Sequence, residues 1–349
     1  MRSKTIIATP PGATIKEQLM DRGMSQKEFA SRMDMSEKHI SKLINGEVQL
    51  TPDVAARLEM VLGLPAHFWS NLETIYREKL TKARLENEMD EDLEILKEIP
   101  YNEMSKNGWV ETTRSPQQRV MNLRKFFEVV HLGLLQQPLI PGIACRKLSD
   151  SKKSDYALIA WAQKAKLEAR SIATDPINIR QLRAFLPEIR KMTMQKPSDF
   201  CSALCAKLSQ CGIALIFLPH IGGSFLHGAT FYDGSKIVIG MTVRGKDADR
   251  FWFSLFHEIG HIILGHIGKT GGTSDQDEMD ADTFARNTLI PLDIFTIFTE
   301  KGSFDKVSVI SFADNAGIDV GIVVGRLQKE RFIPFNWYSD LKTKYTLTA

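Results

Sequence analysis

Apolar residues recur with a helical period over the first 80 positions, and strong stop signals divide that stretch into short segments. Ser25 and Glu28 have the spacing of a capping box, in which a hydroxyl and a carboxylate satisfy free N–H groups at a helix start. Thr51 before Pro52 marks another start, because the first helical position does not need the N–H that proline lacks. The predicted helices cover residues 14–23, 25–33 and 36–46, and a fourth continues from residue 51.

The pattern stays helical and charge-rich from residue 65 to 200 and then changes to short apolar runs. Residues 212–218, 228–232 and 236–241 are predicted strands, and Asp233-Gly234-Ser235 is a turn between the last two. A long helix is expected to begin near Asp247. Strands followed by a helix indicate that a segment of a different fold class comes after the amino-terminal helices in the sequence.

These elements predict an α+β protein that is mostly α, in three parts. Residues 1–80 form a helical domain, residues 81–200 a helical connecting region, and residues 201–349 a domain with a small β-sheet. A chain of 349 residues is long enough for two or three compact units.

Composition narrows the class of protein without naming a function. The chain has 45 basic and 42 acidic residues, and this small excess does not indicate nucleic-acid binding, which must come from a motif. The longest apolar run, 213–218, is far below the roughly 20 residues of a membrane span. We therefore expect a cytoplasmic protein with no membrane segment. Cys201, Cys205 and Cys211 lack the paired spacing of a zinc ribbon, which favours packing over metal binding.

Two of the amino-terminal helices, joined by a tight turn, have the form of a helix-turn-helix motif. In that motif the second helix lies in the major groove of DNA. Its outward residues here combine cations that suit phosphates with polar groups that reach base edges. The alternative is a small helical bundle used for dimerisation. The candidate DNA-contacting residues are Gln26, Ser36, Lys38, His39, Ser41, Lys42 and Asn45.

The segments SQKEFASRMDMSEKHISKLING and TPDVAARLEMVLGLPAHFWSNL resemble the HigA branch of the Xre-type regulators. Asp34 stands where such turns often carry glycine, and aspartate tolerates the left-handed backbone region that the turn requires. The resemblance implies a five-helix DNA-binding domain that forms a homodimer on a palindromic double-stranded operator.

A possible metal site follows the predicted strands. His257-Glu258-Ile259-Gly260-His261 has the HExxH pattern, and in a helix the two histidines lie one turn apart on the same face, so both reach one ion. Glu258 then faces the ion's water rather than the ion. The pattern alone is weak, because an amphipathic helix can carry two histidines by chance.

A second helix start supplies the missing ligand. Glu278 and Asp282 are i, i+4 neighbours, and the loop before them is long enough to fold their helix back over the first. This pattern predicts Glu278 as the third zinc ligand and Asp282 as the partner that fixes the tautomer of a ligand imidazole. Asp280 is the rival third ligand, although its reach is shorter. Three protein ligands leave one position for water, which is typical of catalytic zinc.

The predicted chemistry is peptide hydrolysis. Zn²⁺ would lower the pKa of its water toward ~7, and Glu258 would take the proton and pass it to a leaving amine. Tyr232 and His227 are candidates for stabilising the oxyanion, because they lie on the strand side of the predicted cleft. Arg250 is a candidate for contacting substrate carbonyls; its alternative role is an ion pair at the helix start.

The segments HGATFYDGSKIVIG, DRFWFSLFHEIGHIILGH and DEMDADTFARNTLIP resemble the ImmA/IrrE metallo-endopeptidase family. The resemblance implies a zincin-like fold, zinc ligation by His257, His261 and Glu278, and Glu258 as general base. It also implies Xre-type repressors as substrates, with an extended substrate pairing along the hairpin at 228–241.

Together these observations predict a transcriptional regulator with a zinc-dependent endopeptidase domain, acting in a stress, mobile-element or toxin–antitoxin system. The competing interpretation is a non-enzymatic HigA-like antitoxin or repressor, whose zinc domain is structural or binds a toxin. Substituting Glu258 by glutamine separates the two, because it removes the base and leaves the ligands in place.

Overall fold

The computed structural model describes residues 2–3, 5–136, 152–222, 228–242, 247–269 and 272–345. The chain divides into two compact units, Met1–Glu94 and Ile95–Ala349. Helices dominate both units, and the described strands belong to one small sheet. This is the mostly helical α+β architecture that the sequence predicts.

In the part of the first unit that the structure describes there are five helices, the last of which ends two residues beyond it, as expected for the helix-turn-helix class. Serine and threonine caps begin three of them: Ser25, Ser36 and Thr51 each accept a hydrogen bond from a backbone N–H in the first helical turn. The helices are α1 (Gly12–Asp21), α2 (Gln26–Arg32), α3 (Glu37–Asn45), α4 (Pro52–Leu62) and α5 (Ala66–Leu96).

Two local predictions for this unit were wrong. Helix α1 begins at Gly12 rather than Thr14. The predicted capping box forms only in part: the Ser25 hydroxyl accepts from the Glu28 N–H, but the Glu28 carboxylate accepts from Arg32 Nη2 at 2.7 Å. An arginine one turn further on competes for the carboxylate, because i, i+4 ion pairs lie side by side on a helix.

One fully buried side chain from each helix meets in the core of the first unit. Ile15, Phe29, Ile40, Leu58 and Trp69 contribute to it from α1 to α5 in turn. Burying a large apolar side chain of this kind stabilises a fold by about 1.5–3 kcal/mol. This core holds α2 and α3 in a fixed relation while the outer face of α3 stays polar.

The turn between α2 and α3 depends on a left-handed residue. Asp34 has φ +52°, in the region that aspartate was expected to tolerate. Arg57 from α4 donates to the Met33 carbonyl at 3.0 Å and so ties the turn to the rest of the unit. Helix α5 continues for 31 residues, so the boundary predicted at residue 80 lies inside this helix.

The second unit holds the remaining helices and the sheet. Its α-helices are α6 (Tyr101–Lys106), α7 (Pro116–Phe127), α8 (Lys152–Ala169), α9 (Ile179–Lys191), α10 (Pro197–Ser209), α11 (Ala248–Leu264), α12 (Asp275–Leu289), α13 (Leu292–Lys301), α14 (Lys306–Ala316) and α15 (Val320–Lys329). Short 3-10 helices occur at Leu132–Gln136, Met192–Met194 and Ser339–Leu341.

The three strands form a mixed sheet in the order β1-β3-β2. Strand β1 (Ile213–Phe217) pairs in parallel with β3 (Lys236–Met241), and β2 (Gly228–Asp233) pairs antiparallel with β3 across the predicted turn. In the described sheet β2 therefore has a strand on one side only.

Close packing positions the helices around this sheet. Gly240 of β3 faces the Trp161 ring of α8, and a Cβ there would approach it to 2.5 Å. Gly260 makes similar room on α11: a Cβ would lie 3.0 Å from Phe284 and 3.3 Å from the backbone of Ala281, both on α12. The glycine inside the HExxH motif thus lets α12 lie close against α11.

Among the described residues, no single helix combines the length and apolar character needed to cross a membrane. Helices α14 and α15 have this length and apolar character only when taken together, and the chain bends by 116° between them.

Candidate metal centre and recognition helix

Helix α11 brings two histidines together on one face. His257 Nε2 lies 3.0 Å from His261 Nε2, as the one-turn spacing predicts. His261 is fully buried, and His257 opens toward a cleft. The apolar side of α11, including Phe256 and Ile259, is buried in the core and fixes the helix orientation.

Helix α12 adds a carboxylate from its first turn. Glu278 Oε2 lies 3.3 Å from His257 Nε2, and Oε1 lies 3.5 Å from His261 Nε2. One donor atom from each of the three residues falls within 4.8 Å of the others. Asp280, the rival third ligand, is exposed and accepts a hydrogen bond from Gln276 instead.

The second ligand segment is held by a complete capping box. The Ser274 hydroxyl accepts from the Asp277 N–H, and the Asp277 carboxylate accepts from the Ser274 N–H. This reciprocal pair fixes the first turn of α12, which contains Glu278. The sequence pattern of serine followed three residues later by an acid could have revealed it.

Hydrogen-bond partners lie behind His257 and Glu278. Asp282 Oδ1 lies 2.8 Å from His257 Nδ1, which is the contact predicted for it. Thr273 Oγ1 donates to Glu278 Oε1 at 2.6 Å. Such partners hold ligand side chains in the geometry that a metal requires. Thr273 was missed because nothing in sequence marks a loop threonine as a partner of a carboxylate.

Glu258 lies beside this group with its carboxylate buried. Thr230 of β2 donates to Glu258 Oε2 at 2.5 Å. Gly228 of the same strand approaches so closely that a Cβ would lie 2.8 Å from Glu258 Oε1. Strand β2 thus positions the carboxylate from one side, a role of Thr230 and Gly228 that the sequence did not indicate.

Burial and neighbouring charges shift the pKa values of these groups. Burial raises the pKa of Glu258 to about 7, although His257 and the Thr230 hydroxyl act in the opposite direction. Burial and the neighbouring His257 lower the pKa of His261 to about 4. Burial also disfavours charge on His257, but hydrogen bonds to Asp282 and Glu278 outweigh it and raise its pKa to about 10. Without an ion the proton therefore resides on His257, and a divalent cation would replace it.

The donor set fits zinc. Two imidazole nitrogens and one carboxylate oxygen are the protein ligands of many catalytic zinc sites, which keep a further position for water. Among the described residues, Cys201, Cys205 and Cys211 are free thiols whose pKa is raised by burial, and they belong to the core of the second unit or pack against it. This agrees with the packing role expected for them.

The candidate centre opens on a cleft of about 760 Å³. His257, Glu258 and Glu278 line one part of it, and Gly228 at the start of β2 lies at the same opening. Apolar side chains line another part: Phe253, Leu289, Ile290, Ile322 and Phe335. This volume lies within the range of about 300–1,000 Å³ that is usual for ligand-binding clefts.

The three residues considered for the oxyanion or substrate have different surroundings. Arg250 lines the cleft and lies 3.5 Å from Asp247, which is the ion pair named as its alternative role. Tyr232 is 44% exposed, packs next to Gly268 and does not line the cleft. His227 lies outside the described residues.

The first unit presents α3 as the second helix of the helix-turn-helix. Ser36 caps it through the His39 N–H, and Gly46 ends it with φ +73°. Its inner face is buried through Ile40, Leu43 and Ile44. The candidate DNA-contacting residues divide into an exposed group, Gln26, Ser36, Lys38, Lys42 and Asn45, and a half-buried pair, His39 and Ser41.

Fold and site together define a helix-turn-helix regulator joined to a domain of metallopeptidase type. Comparison with known families agrees: the model of the helix-turn-helix family matches residues 15–69, and that of the IrrE N-terminal-like domain of the M78 peptidases matches residues 227–327. The chain belongs to the HTH-type transcriptional regulators through its first unit, and its second unit carries the peptidase-family domain.

Two individual proteins are similar to the first unit. One is an uncharacterized HTH-type transcriptional regulator, YddM of Escherichia coli K12, which is 35% identical over 66 residues, or 19% of this chain and 70% of that protein. The other is the structure of an addiction module antidote protein of a HigA family from Coxiella burnetii. It is 24% identical, covers 24% of this chain and 94% of its own, and has a TM-score of 0.22.

Proposed function

We propose that this chain is a zinc-dependent endopeptidase joined to an operator-binding domain. The observation that carries the proposal is the position of Glu258. It is a buried carboxylate next to three converging donors, and it lines a cleft of about 760 Å³. A purely structural zinc site has no use for an additional buried carboxylate or for an open cleft.

His257 and His261 would hold the ion through Nε2, and Glu278 through a carboxylate oxygen. Zinc in such a site supplies Lewis acidity, which polarises a peptide carbonyl and acidifies water. Asp282 keeps the Nδ1 proton on His257, so that Nε2 stays free for the ion.

Glu258 performs the proton transfers. The Thr230 hydroxyl occupies Oε2, which leaves Oε1 beside Gly228 at the cleft opening. From there the carboxylate removes a proton from water and returns it to the nitrogen of the leaving amine. The hydrogen bond from Thr230 prevents rotation of the carboxyl group between the two transfers.

Strand β2 provides a binding edge for an extended substrate. It pairs with β3 on one side in the described sheet, and Gly228 and Glu258 lie at the same opening. Backbone pairing along such an edge gives affinity that depends little on side chains. The substrate we propose is a protein, with an Xre-type repressor as the class suggested by family resemblance.

The first unit would bind a palindromic double-stranded operator as a homodimer, with α3 in the major groove. The fusion has a physical consequence: a peptidase tethered at an operator meets other regulators bound there at a high effective concentration. This supports a role in a stress, mobile-element or toxin–antitoxin locus, with a cognate toxin as a further possible partner.

The test compares zinc-loaded wild-type protein with Glu258→Gln after incubation with a cell extract, by mass-spectrometric mapping of new N termini. We expect new termini with the wild type and a loss of at least about 100-fold in their rate of appearance with Glu258→Gln. The matched control is Glu300→Gln, which makes the same chemical change at an exposed position and should cleave normally.

Two results would contradict the proposal. Equal cleavage by wild type and Glu258→Gln would exclude Glu258 as the base. No cleavage by a fully zinc-loaded wild type, with operator binding intact, would favour the non-enzymatic repressor or antitoxin.

A further inference from the structure

The histidine that follows α11 is buried rather than solvated. Gly265 ends the helix with φ +76°, and the His266 N–H donates to the His261 carbonyl at 2.9 Å. This reversal turns the His266 side chain inward, where it is only 7% exposed. A histidine just beyond a helix end is ordinarily solvated or caps the helix, so the burial of His266 calls for another explanation.

His266 connects the second candidate ligand to a charged pair on the following helix. Its Nδ1 lies 3.2 Å from His261 Nδ1, on the opposite side of that ring from the metal-facing nitrogen. Its Nε2 lies 3.5 Å from Asp277 Oδ1. Lys269 holds the same carboxylate at 2.7 and 2.8 Å, so the far end of this series is an ion pair with little net charge.

The direction of the hydrogen bonds follows from the metal-facing atom. If His261 Nε2 is to bind an ion it carries no proton, so the proton of the neutral imidazole is on Nδ1. That N–H then donates to His266 Nδ1, which must be the unprotonated nitrogen of its ring. The His266 proton is thereby on Nε2, the atom that faces Asp277.

We propose that His266 is the positioning residue for His261, acting as the acceptor that fixes the tautomer and orientation of this zinc ligand. The inference rests on the proposed function, because it assigns His266 a role at the same site. His257 uses the carboxylate of Asp282 for the same purpose, so each ligand imidazole has its own partner.

The arrangement also couples two ligands that come from different helices. Asp277 is the acidic member of the capping box that starts α12, and it immediately precedes Glu278. The connection from His261 through His266 to Asp277 therefore fixes the first turn of α12 relative to the end of α11. Outer partners of this kind typically change metal affinity 10–100-fold when they are removed.

The experiment measures zinc affinity by chelator competition and the visible spectrum of the Co²⁺-substituted protein. For His266→Ala we expect about 10–100-fold weaker zinc binding and a shifted Co²⁺ spectrum, because the buried His261 Nδ1–H loses its acceptor. His266→Asn should recover most of the affinity, since its amide oxygen can occupy the place of Nδ1.

The control variant is Ile267→Ala. It removes a buried apolar side chain from the next position, so it lowers stability without touching the hydrogen bonds. Its zinc affinity and Co²⁺ spectrum should match the wild type. A change in His266→Ala that also appears in Ile267→Ala would assign His266 a packing role and overturn the inference.

Two further outcomes separate this inference from the proposed function. Wild-type affinity and spectrum in His266→Ala would overturn the positioning role and leave the peptidase proposal standing. Failure of the wild type itself to bind zinc would overturn both.

Discussion

Asp34 shows how a single residue can fit a motif imperfectly and still preserve it. Its φ of +52° is a conformation that costs a residue with a Cβ about 1 kcal/mol. Its carboxylate contributes little stability in exchange, because it is almost fully exposed and lies 3.7 Å from Arg57 Nη1. The helix-turn-helix is therefore slightly less stable here than with the usual glycine.

We expect Asp34→Gly to stabilise the turn by up to about 1 kcal/mol, since glycine adopts this conformation without steric cost. Hydrogen exchange of the α2 and α3 amides in the intact chain measures the effect. Asp34→Ala should shift protection in the opposite direction. Lower protection in Asp34→Gly would mean that the Asp34 side chain stabilises the turn by more than its left-handed backbone conformation destabilises it.

Lys42 tests the assignment of α3 as the DNA-contacting helix. It is exposed on the outer face of α3, where a cation neutralises a phosphate. Lys42→Ala should weaken binding to DNA from upstream of the protein's own gene and reduce the salt dependence by about one ion. A gel-shift titration at several salt concentrations measures both quantities.

The control for this titration is Lys301→Ala, which removes an exposed lysine from α13 in the second unit. Its affinity should equal that of the wild type. If Lys42→Ala also binds normally, α3 does not contact the backbone of DNA as we describe.

Single residues of the candidate centre were predictable to different degrees. His257, His261, Glu278 and Asp282 follow from helical spacing, because ligand geometry and helix period are both regular. His266 was not, because its role depends on a reversal after Gly265 that turns the ring inward. A periodicity argument stops at the end of the helix.

At the scale of elements, the approach of β2 to α11 controls the position of Glu258. Gly228→Ala would insert a Cβ 2.8 Å from the buried carboxylate, so strand or carboxylate must move, at a cost of about 1–3 kcal/mol. We expect reduced peptidase activity with unchanged zinc content, measured on the same preparation.

A second glycine on the same hairpin provides the comparison. Gly234→Ala meets open space but has φ +61°, so it strains the backbone without approaching Glu258. It should lower stability and leave the activity of the folded protein intact. Equal activity losses in both variants would show that contact with Glu258 is not the cause.

The start of α14 illustrates an electrostatic cap with a defined pH range. The Asp305 carboxylate accepts hydrogen bonds from the Ser308 hydroxyl, the Ser308 and Val307 N–H groups and the Ser303 hydroxyl, which lower its pKa to about 2. Because the pKa of Asp305 is lower in the folded protein than its ordinary value of 3.8, the charged carboxylate stabilises the fold at pH values above 3.8. This contribution is lost as the pH falls toward 2.

Asp305→Asn keeps an oxygen acceptor and removes the charge. Its melting temperature should lie below that of the wild type by a constant amount between pH 5 and 7, with the difference shrinking below about pH 4. Thermal denaturation at several pH values measures this. A difference that does not change with pH would assign the cap to hydrogen-bond geometry alone.

Elements were easier to predict from the sequence than their contacts. The strands and α11 appear where the apolar runs predict them, because turns and caps are determined by residues close together in the sequence. The prediction that the Glu28 carboxylate completes a capping box with Ser25 was wrong, because Arg32 donates to that carboxylate instead. The packing of α8 against β3 through Trp161 and Gly240 depends on residues far apart in the chain, which local pattern does not reveal.

At the scale of the whole molecule, the chain combines two compact units whose candidate functional surfaces differ in kind. The first unit is a small apolar core that presents a polar helix, and the second holds buried ionisable groups at the opening of a cleft. The fusion was predictable because each unit carries its own motif. The lining of the cleft was not predictable, because it comes from helices spread over the second unit.

The most direct test of this account is the metal content of purified protein, measured by elemental analysis for the wild type, Glu278→Ala and Asp280→Ala. We predict about one zinc per chain in the wild type and in Asp280→Ala, and its loss from Glu278→Ala. A wild type without metal, or a Glu278→Ala variant that retains it fully, would contradict the account.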